Sequence, residues 1–230
     1  MRTLGLLGGM SWESTVPYYR VINERIRARL GGLHSAKLFL YSVDFAEIEA
    51  LQMSGDWDTA GNVLADAAES LQRAGADALV ICTNTMHKVA PAIAQRTTFP
   101  ILHIADAAAA RAIDAGIHRI GLLGTRFTME QDFYRGRLAD RGLDVVVPDA
   151  AGRNDVHRII YDELCLGAVN DVSRKRFRDV MRDLVARGAQ GIILGCTEIC
   201  LLVGQADASV PTFDTTSIHA QYAADWALDG

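Results

Sequence analysis

The chain has 230 residues, half of them hydrophobic, enough to bury one large core or two small ones. A net charge of −5 with no long basic run gives no electrostatic pull toward nucleic acid or an anionic membrane, and no uncharged apolar run reaches membrane-spanning length. Cys82, Cys165, Cys196 and Cys200 form neither CxxC pairs nor the Cys/His spacing of a zinc site, so free thiols and no metal are expected.

In chain order, the apolar run after Met1-Arg2-Thr3 ends at Trp12 and Glu13. That is too short for the core of a signal peptide, and a cytoplasmic location is expected. Residues 4–7 read as a buried strand, and Gly8-Gly9-Met10-Ser11 as the turn into a helix carrying Tyr18, Tyr19, Ile22, Ile26 and Leu30. The turn lacks GxGxxG spacing, which argues against a dinucleotide. It suits either a tight turn or close backbone approach to a carboxylate at a helix N-terminus. Residues 37–43 read as a second strand, and the stretch from Asp44 through Gln52 to Trp57 as a loop over a cleft. Val63, Leu64, Ala67, Ala68 and Leu71 then mark a helix face that ends before Gly75.

From Gly75 a short apolar run suited to a fully buried parallel strand stops at Cys82, Thr83, Asn84 and Thr85. Met86 to Ala90 starts a helix that Pro91 interrupts or restarts, Pro100 precedes a strand over 101–104, and an Ala-rich helix over 106–115 is closed by Gly116. The second half is expected to bring a strand over 120–123, a turn over 124–128, a helix over 129–141 and a strand over 144–147. Amphipathic helices over 157–166 and 173–187, and a terminal helix over 217–228 packed on the first half, complete it.

The two halves repeat. The stretch from Gly75 aligns without a gap on the stretch from Gly188, an offset of 113, which lays Thr83 over Cys196 and Cys82 over Gly195. Leu4-Gly5-Leu6-Leu7-Gly8 matches Ile120-Gly121-Leu122-Leu123-Gly124, and Phe99-Pro100 matches Val210-Pro211. Three matched strand ends in one order predict an α/β protein of two pseudo-symmetric three-layer αβα lobes with mostly parallel sheets. The first lobe is expected over 1–103 plus 213–230 and the second over 104–212. An active site is expected in the interlobe cleft, where strand ends gather small polar side chains.

Cys196 stands between Gly195 and Thr197 at a strand end and helix start, where backbone N–H groups and the helix dipole favour a thiolate; an inert core cysteine is the alternative. In the first lobe Cys82 and Thr83 compete for the equivalent place, since successive strand residues point to opposite faces. The register nominates Thr83 and leaves Cys82 as the alternative. Asn84, Thr85 and Thr197 can cap a helix or bind an anion. His87 fits a supporting or surface position, Cys165 and Cys200 fit packing, and His103 and Asp214 occupy matched positions of the repeat.

Gly5-Leu6-Leu7-Gly8-Gly9-Met10-Ser11-Trp12-Glu13, Thr83-Asn84-Thr85-Met86-His87, Gly121-Leu122-Leu123-Gly124-Thr125, Gly195-Cys196-Thr197-Glu198-Ile199 and Asp214-Thr215-Thr216 together resemble the aspartate/glutamate racemase family. This family lies within the Asp/Glu/hydantoin racemase superfamily. The resemblance covers nearly the whole chain and is strongest to the broad-specificity and L-aspartate/glutamate-selective branch. It implies a cofactor-independent amino-acid racemase, a homodimer in relatives, that moves the α-proton between two bases on opposite faces of the substrate. Carried over residue by residue, it gives Thr83 and Cys196 as catalytic, and Met10, Gln52, Asn84, Thr85, Thr125, Thr197 and Glu198 as substrate-binding. Two departures follow. The first catalytic cysteine is replaced by Thr83, an alcohol and a far weaker acid, which predicts lopsided chemistry with Cys196 as the effective base. The Arg and Lys of aspartate-specific relatives give way to Gln52 and Cys165, which opens a neutral or broad amino-acid range. Other superfamily chemistry, such as hydantoin racemisation or maleate isomerisation, and a non-catalytic two-lobed amino-acid-binding protein are the alternatives.

Overall fold

A computed structural model describes residues 1–229. Contacts divide the chain into two compact units, Met1–Ile104 with the chain from His219 onward, and Ala105–Ile218. The first unit runs β1 (Leu4–Gly8), α1 (Trp12–Leu30), β2 (Leu38–Ser42), α2 (Phe45–Ser54), α3 (Trp57–Arg73), β3 (Ala78–Ile81), a 3-10 turn (Thr85–Val89) and α4 (Ala90–Arg96). From α5 (Ile104–Asp114) the second unit continues with β4 (Arg119–Gly124), α6 (Arg126–Glu130), α7 (Asp132–Asp140), β5 (Asp144–Val146) and α8 (Ala150–Asp162). There follow α9 (Asp171–Ala186), β6 (Gly191–Gly195), α10 (Ile199–Leu202), β7 (Thr212–Asp214) and α11 (Thr215–Leu228), which begins in the second unit and ends in the first.

Both sheets are parallel and share one topology: β2-β1-β3 in the first unit, β5-β4-β6-β7 in the second. The repeat extends to single hydrogen bonds. Leu79 N–H donates to the Pro100 carbonyl at 2.9 Å, as Ile192 N–H does to Pro211 at 2.9 Å. Asp77 N–H donates to Thr3 at 2.8 Å, as Gln190 N–H does to Arg119 at 2.8 Å.

In the first unit helices cover both faces of β1 and β3, and the apolar residues sort by the period of two that a strand imposes. Leu7, Leu79 and Ile81 pack with Leu64, Ala68 and Leu71 of α3. Leu4, Leu6, Ala78, Val80 and Cys82 pack on the other side with Tyr18, Ile22 and Ile26 of α1 and with Ala220, Ala223, Ala224 and Ala227 of α11. Each large side chain fully buried there contributes roughly 1.5–3 kcal/mol. In the second unit Leu123, Ile192, Leu194 and Cys196 share a core with Ile159 and Ile160 of α8 and Phe177, Val180 and Leu184 of α9.

Several elements differ from the sequence expectation. The segment read as a loop from Asp44 is α2, capped by the Asp44 carboxylate on Ala46 N–H at 3.0 Å and stopped by Gly55 in the left-handed region. The strand expected over 101–104 shrinks to one bridge, Leu79 to Ile101. Pro100 has no N–H to offer, and the Ile104 amide is taken by the His87 ring at 3.2 Å, which starts α5 instead. The helix expected over 129–141 starts at Arg126 and is broken at Gln131, whose backbone is extended. The helix expected from 157 starts at Ala150, because Asp149 caps Gly152 N–H at 2.7 Å. The chain returns to the first unit at residue 219 rather than 213, because β7 hydrogen-bonds to β6.

Candidate active site

The two motif-bearing strand tips are built differently. In the first unit the alternation along β3 turns Cys82 into the core with α1 and α11, where it is completely buried and its thiol donates to the Val80 carbonyl at 3.6 Å. Burial pushes the Cys82 thiol far up from its ordinary value. Thr83 is the next residue, 8% exposed. In the repeat register Leu79, Ile81 and Thr83 correspond to Ile192, Leu194 and Cys196, so threonine and sulfur are matched members of two matched tips.

Histidines hold the first tip from behind. His87 Nδ1 lies 2.8 Å from the Thr83 carbonyl, and His87 Nε2 accepts from Ile104 N–H. Accepting at Nε2 leaves Nδ1 as the donor, so the ring is neutral and of fixed tautomer. The His103 ring lies 4.4 Å from that of His87, and His219 lies 5.8 Å away. His219 Nε2 is 2.6 Å from the Leu102 carbonyl and must donate to it; its Nδ1 then accepts from the Tyr18 hydroxyl at 2.9 Å. Complete burial lowers the His219 pKa from 6.5 to about 4, against the opposing bond to Leu102. The sequence singles out His87, and His103 by its position matched to Asp214, whereas His219 joins them only through the fold.

The turn after β1 is fixed by hydroxyls. Thr15 Oγ1 accepts from Gly9 N–H at 2.9 Å, and Ser14 and Thr15 each donate to the Ser11 carbonyl at 2.9 Å. Gly9 has φ +89°, and a Cβ there would lie 2.3 Å from the Val43 carbonyl, so both conformation and space require glycine. Met10 is buried in the core that includes Leu7, Ile48 and Met86, and Gln52 of α2 donates from Nε2 to the Met86 sulfur at 2.9 Å. Asn84 and Thr85 are buried where β3 passes into the 3-10 turn.

At the second tip Cys196 is 7% exposed and its thiol lies 3.0 Å from Glu198 Oε2, which also accepts from Thr197 Oγ1 at 2.7 Å. Gly195 allows this tip to pack against β4: a Cβ there would stand 2.7 Å from the Leu123 carbonyl. Thr125, the counterpart of Gly9, caps α6 by accepting from Thr128 N–H at 3.3 Å. Asp214 caps α11, accepting from Thr216 N–H at 2.9 Å and from Ser217 Oγ at 2.6 Å. Cys165 and Cys200 are partly buried against the core that contains Cys196.

The surroundings of Cys196 work against the thiolate that a helix N-terminus would favour. Burial, then the Glu198 carboxylate, then Cys165, hold its pKa well above the ordinary value; the opposing bond from the Glu198 backbone is smaller. The helix that should supply the dipole, α10, has only four residues. Cys196 is held toward its protonated form, with its thiol placed to donate to a carboxylate. Among the described residues no group of three or more His, Cys, Asp or Glu is arranged to hold a metal ion, and no helix is long and apolar enough to cross a membrane.

Comparison with known proteins gives one consistent result. Residues 7–223 match the family model described as Asp/Glu/hydantoin racemase. A broad-specificity amino-acid racemase of Bacillus subtilis is 22% identical over 222 residues, 95% of each chain. A crystal structure from Yersinia pestis, provisionally named an Asp/Glu racemase, is 61% identical with a TM-score of 0.93, covering 99% of this chain and all of that one. An aspartate racemase homologue from Pyrococcus horikoshii OT3 is 34% identical with a TM-score of 0.85 over the same shares.

Proposed function

The chain belongs to the Asp/Glu/hydantoin racemase family, and from that membership we propose that it is an amino-acid racemase, working without cofactor, in which Cys196 and Thr83 serve the two faces of the α-carbon. The observation that carries the reading is the repeat itself: two strand tips in one register, one ending in a thiol and the other in a hydroxyl. Cys196 is the base. Its proton is already directed at Glu198 Oε2, so moving it onto the carboxylate leaves a thiolate able to take the α-proton. Positioned proton transfer of this kind contributes typically 10²- to 10⁴-fold. The raised pKa of the Cys196 thiol is a property of burial beside a negative charge. A substrate ammonium group brought close would oppose both causes and favour the thiolate.

Thr83 cannot serve as an equal partner. A hydroxyl does not ionise near neutral pH, so Thr83 acts as a donor or as a relay through water, and the two directions differ in rate. Met10, Gln52, Asn84, Thr85, Thr125, Thr197 and Glu198 are assigned to substrate contact, with Glu198 also positioning the thiol. The neutral Gln52 and Cys165 favour neutral or varied side chains over dicarboxylic ones, in keeping with the name of the Bacillus relative. A cytoplasmic enzyme made of two copies completes the proposal.

Incubation of single enantiomers of the common amino acids in deuterium oxide tests it. Solvent deuterium at the α-carbon with loss of optical rotation is expected for some of them. No exchange with any of them overturns the assignment.

A further inference from the structure

The outer face of α1 carries charge that nothing in the first unit neutralises. Together with the turn over residues 31–35, this face lines a cavity of about 620 Å³, which is the size of a small-molecule site. One side chain braces the cavity: Asn23 accepts from Ala36 N–H at 2.9 Å and donates to the Tyr19 carbonyl at 2.8 Å, so the turn is tied to the helix. Arg20 and Arg27 line it from α1, and His34 lines it from the turn. Among the described residues neither arginine has an ion-pair partner, although Glu24 lies one helical turn from each. By contrast Arg25 and Arg29, on the side of α1 that meets α11, are both held by Asp225, at 2.9 Å and 3.3 Å. The two arginines exceed the single carboxylate of the cavity, in a chain whose net charge is −5, so the local excess runs against the charge of the whole. Apolar groups gather at the same place, since Val16, Tyr19 and Leu33 are exposed and line the cavity too. Along α1 the order is Val16 and Tyr19, then Arg20, then Arg27, which is apolar at one end and cationic toward the other.

We propose that this cavity binds a small organic diphosphate with an aromatic body, of the class of a nucleoside diphosphate. Arg20 and Arg27 stand two turns apart on one helix face, about 10 Å along the axis. That spacing suits an extended anion, with one guanidinium turned toward each phosphate, and the planar fork of arginine matches phosphate oxygens two at a time. His34 adds a further nitrogen at the same mouth. The exposed ring of Tyr19 offers a face on which a flat apolar group stacks, with Val16 and Leu33 beside it. The site lies on the far side of α1 from Tyr18, Ile22 and Ile26, which face the core. It is independent of the chemistry assigned to the strand tips.

Isothermal titration calorimetry of the full chain with ADP, pyrophosphate and adenosine tests it. Saturable binding of ADP is expected, weakening as salt is raised, with pyrophosphate and adenosine each weaker by about tenfold or more. Arg20→Ala and Arg27→Ala are each expected to weaken ADP binding about tenfold, through the loss of charge-assisted hydrogen bonds. Both side chains are exposed, so the circular dichroism spectrum is expected to stay as it is. Tyr19→Ala is expected to weaken ADP about tenfold and to leave pyrophosphate unchanged. Arg111→Ala, at an exposed arginine of the second unit, is expected to change neither. No saturable binding of ADP overturns the proposal, as does ADP binding that survives the Arg20 and Arg27 changes or falls equally with Arg111→Ala. Pyrophosphate bound as tightly as ADP, or ADP binding indifferent to Tyr19→Ala, overturns the aromatic body.

Discussion

The tips of β3 and β6 have the same register in the same topology, yet the groups behind them differ in kind. Behind Thr83 stands a neutral imidazole, His87, packed at a tilt against His103 and backed by His219. Beside Cys196 stands a carboxylate, Glu198. A neutral ring bonded to a backbone carbonyl fixes where the chain runs and contributes no charge. A carboxylate facing a thiol governs where a proton resides. Two copies of one scaffold thus carry different side chains, one tip ordered for position and the other, in the proposed reaction, for proton transfer.

Four experiments bear on that division, from the largest expected effect to the smallest. Cys196→Ser removes the only group at either tip proposed to form a useful base, and α-deuterium incorporation is expected to fall about 10³-fold or more. Comparable exchange in this variant breaks the asymmetry outright. The histidine side is read by stability. His219 has its pKa depressed from 6.5 to about 4, so the folded state keeps it neutral while the unfolded state takes up a proton below 6.5. The contribution of this group to stability is therefore constant above pH 6.5 and declines as pH falls from 6.5 to 4, by about 3 kcal/mol. Denaturant titrations across that range are expected to show this slope, and His219→Asn to flatten it. A slope unchanged in the variant means the ring is not what responds to acid.

Thr83→Cys supplies the missing thiol and is expected to raise exchange about tenfold for the enantiomer whose α-hydrogen meets that tip, bringing the two directions closer together. An equal effect on both enantiomers contradicts the assignment of faces. Glu198→Gln is expected to lower kcat about tenfold, since the proton acceptor is weakened. It should also move the acid limb of the pH profile to lower pH, because a negative neighbour no longer opposes the thiolate. A fall in kcat with no movement of the limb limits Glu198 to holding the thiol in place.

Much of this was legible in the chain because it rests on periodicity. The glycines that end helices, the apolar runs of four or five residues and the nearly constant offset between halves point to two parallel sheets and the matched tips at Thr83 and Cys196, but not to the order of strands within each sheet. The burial of Cys82 also follows from strand alternation, once the helices on each face are known. What escaped depended on contacts between distant residues. The strand expected after Pro100 fails because a ring seventeen residues earlier in the chain takes the Ile104 amide. The thiol of Cys196 rises in pKa because it is buried and, after that, because Glu198 folds back onto it, a side-chain conformation that no spacing reveals. The helix at Asp44 carried its own signals, a capping carboxylate and a terminal glycine, which the polar composition of the segment obscured.

The final helix has a consequence for how the molecule comes into being. Ala220, Ala223, Ala224 and Ala227 complete the core around Leu4, Leu6 and Tyr18. During synthesis the portion made earlier must wait, its apolar interior open on one side, until residues 220–227 have been made. The portion translated later closes on its own residues, so the half that starts first is the half that finishes last.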